Sequence, residues 1–117
     1  MSHMLLIVEP AGQRATRTEA EGREAYASMV RFGESLKARG KLLASESLAS
    51  QSKAVRVHTG GGKAQVLDGP FAEAKEMIGG FFLLDCASME EAVAIARECP
   101  AAEWATVEVR VLGPCHD

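Results

Sequence analysis

The hydrophobic pattern of the chain predicts an α+β fold, in which two helices cover an antiparallel sheet. A continuous apolar run at residues 4–8 and a mostly apolar segment at 78–86 are typical of buried strands. Two helical patterns begin with capping-box spacings, at Thr18 and at Ser88. Other segments alternate apolar and polar residues, as strands with one covered face do. The chain has 117 residues, which predicts a single domain.

The first half of the chain begins with a strand from Met4 to Val8. A helix follows from Glu19 to Arg39 and is closed by a glycine. Residues 41–51 are rich in Ser and Ala, so we expect a connector there. Residues 1–3 have the composition of a cloning remnant or an unstructured start, and we therefore expect no role for His3.

The second half begins with a hairpin, whose strands at residues 54–58 and 63–67 flank a glycine turn. We expect one packed face and one wet face there. The strand at 78–86 contains Gly79 and Gly80, which indicate a bulge or the close approach of another backbone. The second helix then ends at Pro100. A last alternating strand spans 106–112, and a flexible tail is expected over 114–117.

The resulting order, β-α-(β-β)-β-α-β, is that of a ferredoxin-like sandwich with both helices on one face. The other sheet face is then bare, and we expect Val57, Phe82, Val109 and their neighbours to make it apolar. A bare apolar face of this size is unfavourable in water. Pairing of two sheets in a homodimer removes it, and twofold pairing is the commonest oligomer.

Charge and composition exclude several classes of protein. The net charge is −3 without a basic cluster, so direct nucleic-acid binding is not expected. No apolar run has the roughly 20 residues that cross a bilayer, and we do not expect the start to act as a signal peptide. Cys86, Cys99 and Cys115 are well separated, which favours reduced thiols and a cytoplasmic location. No metal-ligand spacing and no cofactor motif is present.

The loop that begins at Asp68 is the first candidate site. Asp68 ends a strand, where its carboxylate could serve as a general base or a substrate anchor. The alternative is that its side chain accepts hydrogen bonds from its own turn. Gly69 and Pro70 make the turn rigid under either interpretation.

The residues after this turn have two interpretations each. Phe71 either packs into the core beneath the loop or stacks on a ligand. Glu73 and Lys75, with Glu76, either form a polar rim to a binding site or are solvated charges of little energetic value.

Four further positions are candidates. Tyr26 either hydrogen-bonds Asp68 across a cleft between helix and sheet or packs on the sheet. His58 is expected to be exposed at a strand end, where it could act as acid or base near neutral pH. Arg14 and Arg17 either bind an anionic ligand or belong to a mobile loop.

A longer motif carries a family resemblance. The run Asp68-Gly69-Pro70-Phe71-Ala72-Glu73-Ala74-Lys75-Glu76, followed by Gly79-Gly80-Phe81-Phe82, resembles the signature of the DGPF family of YCII-related proteins. The resemblance implies a ferredoxin-like fold that dimerises as an α+β barrel. Members of the family are mostly uncharacterised, and some occur beside or fused to extracytoplasmic-function sigma factors.

The same resemblance bears on chemistry. The broader YCII group has a proposed His-Asp pair, which implies a role for Asp68 as the carboxylate. The histidine is absent here, because helix 19–39 contains none and Tyr26 is its nearest polar aromatic. The sequence thus predicts a small-molecule site beside helix one and the 68–71 loop, with catalysis left open. The alternative is a regulatory or interaction module linked to sigma-factor-dependent transcription.

Overall fold

The computed structural model describes residues 2–116 and contains a four-stranded antiparallel sheet, two helices and a separate two-stranded hairpin. The helices and strands are β1 (Ser2–Pro10), α1 (Glu19–Ala38), β2 (Leu42–Ser47), β3 (Val55–Gly60), β4 (Lys63–Asp68), β5 (Glu76–Asp85), α2 (Met89–Glu98) and β6 (Thr106–Val111). The sheet order is β2-β5-β1-β6, and β3 pairs only with β4. Without the inserted hairpin this is the ferredoxin-like topology that the sequence predicted.

The core lies between the helices and one face of the sheet. Alternate residues of β1 point toward the helices, and Leu5 faces Phe82 across the ladder with β5. Phe82 meets Phe32 of α1 edge to face, with ring centroids 5.1 Å apart. The buried helix residues Leu36 and Ile95 complete this layer. The period-two pattern of the strands and the 3.6-residue pattern of the helices therefore converge on one core.

The opposite sheet face is open, but its composition differs from the prediction. Phe82 and Val109 pack on the helix side, and Val57 lies on the hairpin. The prediction for these three residues is wrong, because register places their neighbours on the open face instead. Leu6 faces Phe81, and Met4 faces Leu83.

The predicted connector at residues 41–51 contains a strand, β2, which pairs with β5 at the sheet edge. Its sequence, Leu-Leu-Ala-Ser-Glu-Ser, has neither clear alternation nor strong strand propensity. The strand exists because β5 supplies its hydrogen-bonding partners, with one register shift between Leu42 and Ala44. Tertiary pairing here outweighs local preference.

The chain start is also ordered, contrary to the prediction. Ser2 and His3 belong to β1, and His3 is 1% exposed. Its Nδ1 lies 3.2 Å from the Sγ of Cys86, which is also buried. His3 is therefore a core residue. The predictions for Met1 and Asp117 concern positions outside the described residues.

The helix ends follow the capping patterns in the sequence. Thr18 Oγ1 accepts a hydrogen bond from the Glu21 amide, and Glu21 accepts one from the Thr18 amide. Ser88 caps α2 through the Glu91 amide. Gly40 follows α1 with a φ of 70°, a left-handed conformation suited to glycine.

The hairpin stands apart from the sheet, and every residue of β3 and β4 is exposed. The expectation of one packed face is therefore wrong for the single chain. The glycine turn is confirmed, since Gly61 and Gly62 both have positive φ between paired Gly60 and Lys63. Residues 113–116 are exposed and lie outside helices and strands. No helix in the described range is long and apolar enough to cross a membrane.

Candidate functional site

An open cleft lies between α1 and the part of the sheet formed by β5 and the β2 edge. Its volume of about 590 Å³ is in the range of small-molecule sites. The cleft exists because the sheet-facing side of α1 carries small residues, Gly22 and Ala25, in its first half, whereas Phe32 and Leu36 hold the second half against the core. Apolar and aromatic side chains line much of it, among them Ile7, Tyr26, Met29, Phe82 and Trp104.

An ion pair forms the polar end of this cleft. Arg14 Nε donates to Glu9 Oε1 at 2.6 Å. Arg14 Nη1 donates to the Leu48 carbonyl at 2.8 Å, and Nη2 donates to the Gly79 carbonyl at 3.3 Å. The guanidinium thus connects three parts of the chain, which are the end of β1, strand β5 and the segment that follows β2. Three of the five N–H groups of the guanidinium are engaged in this way, so Arg14 acts mainly as a clamp between these segments.

Glu9 is the buried member of the pair, only 4% exposed. Oε1 accepts from Arg14, and no donor among residues 2–116 hydrogen-bonds Oε2. The described side chains contain no fully buried nitrogen or oxygen without a partner. Oε2 therefore keeps access to the cleft, where it can accept a hydrogen bond from a bound molecule.

Gly79 and Gly80 make room for this arrangement. The ladder between β1 and β5 shifts register between Ile7 and Val8, leaving Gly79 as the extra residue of a bulge. A Cβ on Gly79 would collide with Glu9 Oε2, and one on Gly80 would lie 2.8 Å from the Glu46 carbonyl oxygen. Both interpretations of the glycine pair, bulge and close approach, are confirmed.

Arg17 and Trp104 also line the cleft. The Arg17 guanidinium lies over the Trp104 ring, 5.6 Å from its centroid. Gln13 Nε2 donates to the Trp104 carbonyl at 2.8 Å. The first β-α loop, which contains a short 3₁₀ helix at Gln13–Thr16, is thereby attached to the segment before β6.

The structure does not bring Tyr26 and Asp68 together. Tyr26 lines the cleft and is 60% exposed. Asp68 is exposed at the end of β4, on the hairpin, and is absent from the cleft lining. No hydrogen bond joins the two side chains within residues 2–116. His58 is likewise exposed on the hairpin, opposite Gln65.

The 68–71 loop has a mainly structural environment. The Gly69 amide donates to the Ala54 carbonyl at 2.8 Å, and a Cβ on Gly69 would collide with the Gln51 carbonyl. The peptide bond between Gly69 and Pro70 is cis. Phe71 is 7% exposed under the Arg56 guanidinium, 3.9 Å from its ring centroid.

A second cavity, of about 510 Å³, lies at the base of the hairpin. Phe71 and Arg56 line it, so Phe71 is the one predicted ligand residue of the 68–75 segment that borders a described cavity. Glu73 and Lys75 are exposed. The Lys75 carbonyl accepts from the Ala11 amide at 2.8 Å, which fixes the loop to the end of β1.

The thiols take no part in the cleft lining. Burial raises the pKa of the Cys86 thiol, with the Glu91 carboxylate adding to the effect, and burial also raises the pKa of Cys99. Cys115 is exposed. Within the described range, no three His, Cys, Asp or Glu side chains converge as metal ligands would.

Sequence reasoning missed Glu9 as a site residue. Glu9 stands beside Pro10 and Gly12, so its position favours a turn, and nothing local shows that β1 continues through it. A signal was present in the pairing of two features: an acid at the end of one buried strand and adjacent glycines in the other. Two central antiparallel strands place such residues side by side.

Comparison with known proteins gives a family and a fold. A family model described as the YCII-related domain matches residues 1–115. An uncharacterised protein of Rhizobium meliloti (strain 1021) is 43% identical over 75 residues. That match covers 62% of this chain and spans 60% of the length of the relative.

A solved structure shares the fold. It is a 5-chloro-2-hydroxyhydroquinone dehydrochlorinase from Burkholderia phenoliruptrix AC1100, in complex with 2,5-dihydroxybenzoquinone. The similarity has a TM-score of 0.56 at 16% sequence identity and covers 97% of this chain and 94% of the other. At this identity the likeness concerns architecture.

Proposed function

The chain belongs to the YCII-related domain family, and we propose that it binds a small molecule in the cleft between α1 and the sheet. The observation that carries the proposal is the Glu9 carboxylate, which is 4% exposed and has one oxygen open to a largely apolar cleft. Burying a carboxylate is unfavourable unless its oxygens find partners. A few fixed polar groups in an apolar recess are typical of ligand sites.

The dehydrochlorinase supports this proposal at the level of architecture, because its complex contains a small ring compound. Its reaction does not enter the proposal. Asp68 and His58, two of the predicted catalytic residues, lie on the hairpin, and Tyr26 alone lines the cleft. Whether the bound molecule reacts is therefore a separate question from whether it binds.

A metabolite screen by thermal shift tests binding, since a molecule that binds the folded state raises the melting temperature. We expect Val30→Trp, in the cleft wall, to weaken binding of a hit at least tenfold by filling the site. Met89→Trp is the matched control, since Val30 and Met89 are both helical and 40% and 41% exposed, but Met89 is outside the cleft lining. Equal responses of both variants and the wild type would place the ligand elsewhere.

We further propose a homodimer that covers the open sheet face. Leu6, Phe81, Met4 and Leu83 form a continuous apolar band across β1 and β5. Glu108 and Arg110 of β6 flank it, on the same face by register. Two such faces packed together would form the dimeric α+β barrel that the family resemblance implies.

The regulatory alternative and the cytoplasmic location stay predictions. Neither gains support from a contact or cavity within residues 2–116. The same is true of catalytic roles for Asp68 and His58 and of ligand contacts for Gly69, Pro70, Glu73 and Lys75. A hit that requires Val30 but not Asp68 would favour the cleft over the hairpin loop.

A further inference from the structure

We infer that Glu9 selects uncharged ring compounds that carry a hydroxyl group, because its Oε2 accepts a hydrogen bond from the ligand. The inference rests on the proposed function and adds the chemical class of the ligand. The inference follows from the state of Glu9 Oε2. This oxygen is held in place, yet it accepts no hydrogen bond from a donor among the described residues.

The position of Oε2 is fixed by its neighbours. Arg14 holds Oε1, and two backbone carbonyls hold Arg14 in turn. The bulge at Gly79 removes the side chain that would otherwise collide with Oε2. A carboxylate oxygen with no freedom to turn away requires a donor to approach it. A hydroxyl group satisfies it, whereas an ether or a carbonyl oxygen does not.

The electrostatics of this end of the cleft disfavour an anion. The charges of Arg14 and Glu9 offset each other, and three of the five N–H groups of Arg14 already have acceptors. A ligand carboxylate would approach Glu9 with like charge. The remaining cations in the lining, Arg17 and Lys37, flank opposite ends of α1. A helix of 20 residues is about 30 Å long, so these two cannot hold one small anion together.

The side chains that line the cleft favour a flat apolar ligand. Phe82 of β5 and Met29 of α1 line the recess, and Tyr26 and Trp104 add aromatic side chains to its lining. Aromatic side chains bind rings by stacked or edge-to-face contacts. An uncharged ring with a hydroxyl group thus matches both the walls and the acceptor.

The test compares resorcinol with its dimethyl ether, 1,3-dimethoxybenzene, by calorimetric titration of the wild-type protein. The two share a ring, and only resorcinol can donate. We expect resorcinol to bind at least tenfold more tightly, as the loss of a hydrogen bond to a charged group implies. Equal affinities, or no resorcinol binding at millimolar concentration, would overturn the inference.

The variant Glu9→Gln sharpens the test. Arg14 Nε requires an acceptor, so the amide oxygen should face it and the amide NH₂ should face the cleft. We expect this variant to lose the preference for resorcinol over the ether. Glu90→Gln, at an exposed carboxylate of α2 outside the cleft lining, should keep it. A Glu9→Gln protein that folds and retains the wild-type preference would refute the role of Oε2.

Failure of this inference is distinguishable from failure of the proposed function. If Val30→Trp weakens the binding of metabolite hits but ligands with a hydrogen-bond donor bind no more tightly than those without one, the cleft is the binding site. Glu9 then does not determine which ligands bind. If no hit depends on Val30, the cleft itself is not the site.

Discussion

At the scale of single residues, the cleft depends on Gly79, a position without a side chain. A methyl group there would meet Glu9 Oε2, which Arg14 prevents from moving away. We expect Gly79→Ala to lower the free energy of unfolding by about 1–3 kcal/mol, the usual effect of overpacking. Urea denaturation measures this change.

Gly113→Ala is the control for that substitution, since a Cβ at Gly113 meets nothing within 4 Å. Its free energy of unfolding should stay within about 0.5 kcal/mol of the wild type. Indistinguishable unfolding of the two variants would mean that the bulge accepts a side chain and that Glu9 is not fixed.

The residue scale is also where prediction from sequence was weakest. Asp68 stood out because it belongs to a distinctive motif, whereas Glu9 lies at a strand end that resembles a turn. The role of Glu9 depends on Arg14, Leu48 and Gly79, which pairing and packing bring together. A local sequence pattern does not predict contacts between residues that are distant in sequence.

At the scale of elements, both helices and the two central strands were predictable, because each satisfies local and global preferences at once. The Thr18 and Ser88 caps are visible in the sequence and present in the structure. The β2 strand was not predictable, since its partner strand determines it. The hairpin was predicted correctly as a hairpin. Its exposure was not predictable, because it depends on the hairpin lying apart from the four-stranded sheet.

The capping box of α1 gives a prediction on pH. Hydrogen bonds from the Thr18 backbone and side chain hold the pKa of Glu21 below its ordinary value of 4.5. A lowered carboxyl pKa stabilises the fold above the unfolded value, and this contribution is lost as pH falls through the folded pKa. Glu21→Ala should therefore lower the free energy of unfolding at pH 7, and the difference from wild type should shrink toward pH 3.

Denaturation in urea at both pH values measures the effect. Glu34→Ala, in the same helix but outside the capping box, serves as the control for changes in helix propensity. If the Glu21→Ala difference is the same at pH 7 and pH 3, the carboxylate does not take part in the cap in solution.

At the scale of the whole molecule, the open sheet face gives the prediction of a dimer. Wild-type protein should sediment as two chains at micromolar concentration, because a partly exposed apolar band across two neighbouring strands is unfavourable in water. Leu6→Glu places a charge in the centre of that band and should give a folded monomer.

Val57→Glu on the hairpin is the matched control, since Val57 is 67% exposed and lies outside the band. It should leave the dimer intact. A wild-type monomer would refute the dimer, and a dimer that Val57→Glu breaks and Leu6→Glu does not would place the interface on the hairpin.

The central claim is that the cleft between α1 and the sheet binds the ligand, and backbone-amide NMR during titration with a hit from the metabolite screen tests it most directly. We expect the largest shift changes at Tyr26, Gly33, Gly79 and Gly80, which line the cleft. Changes confined to the hairpin around Asp68, with the cleft amides unmoved, would contradict the claim.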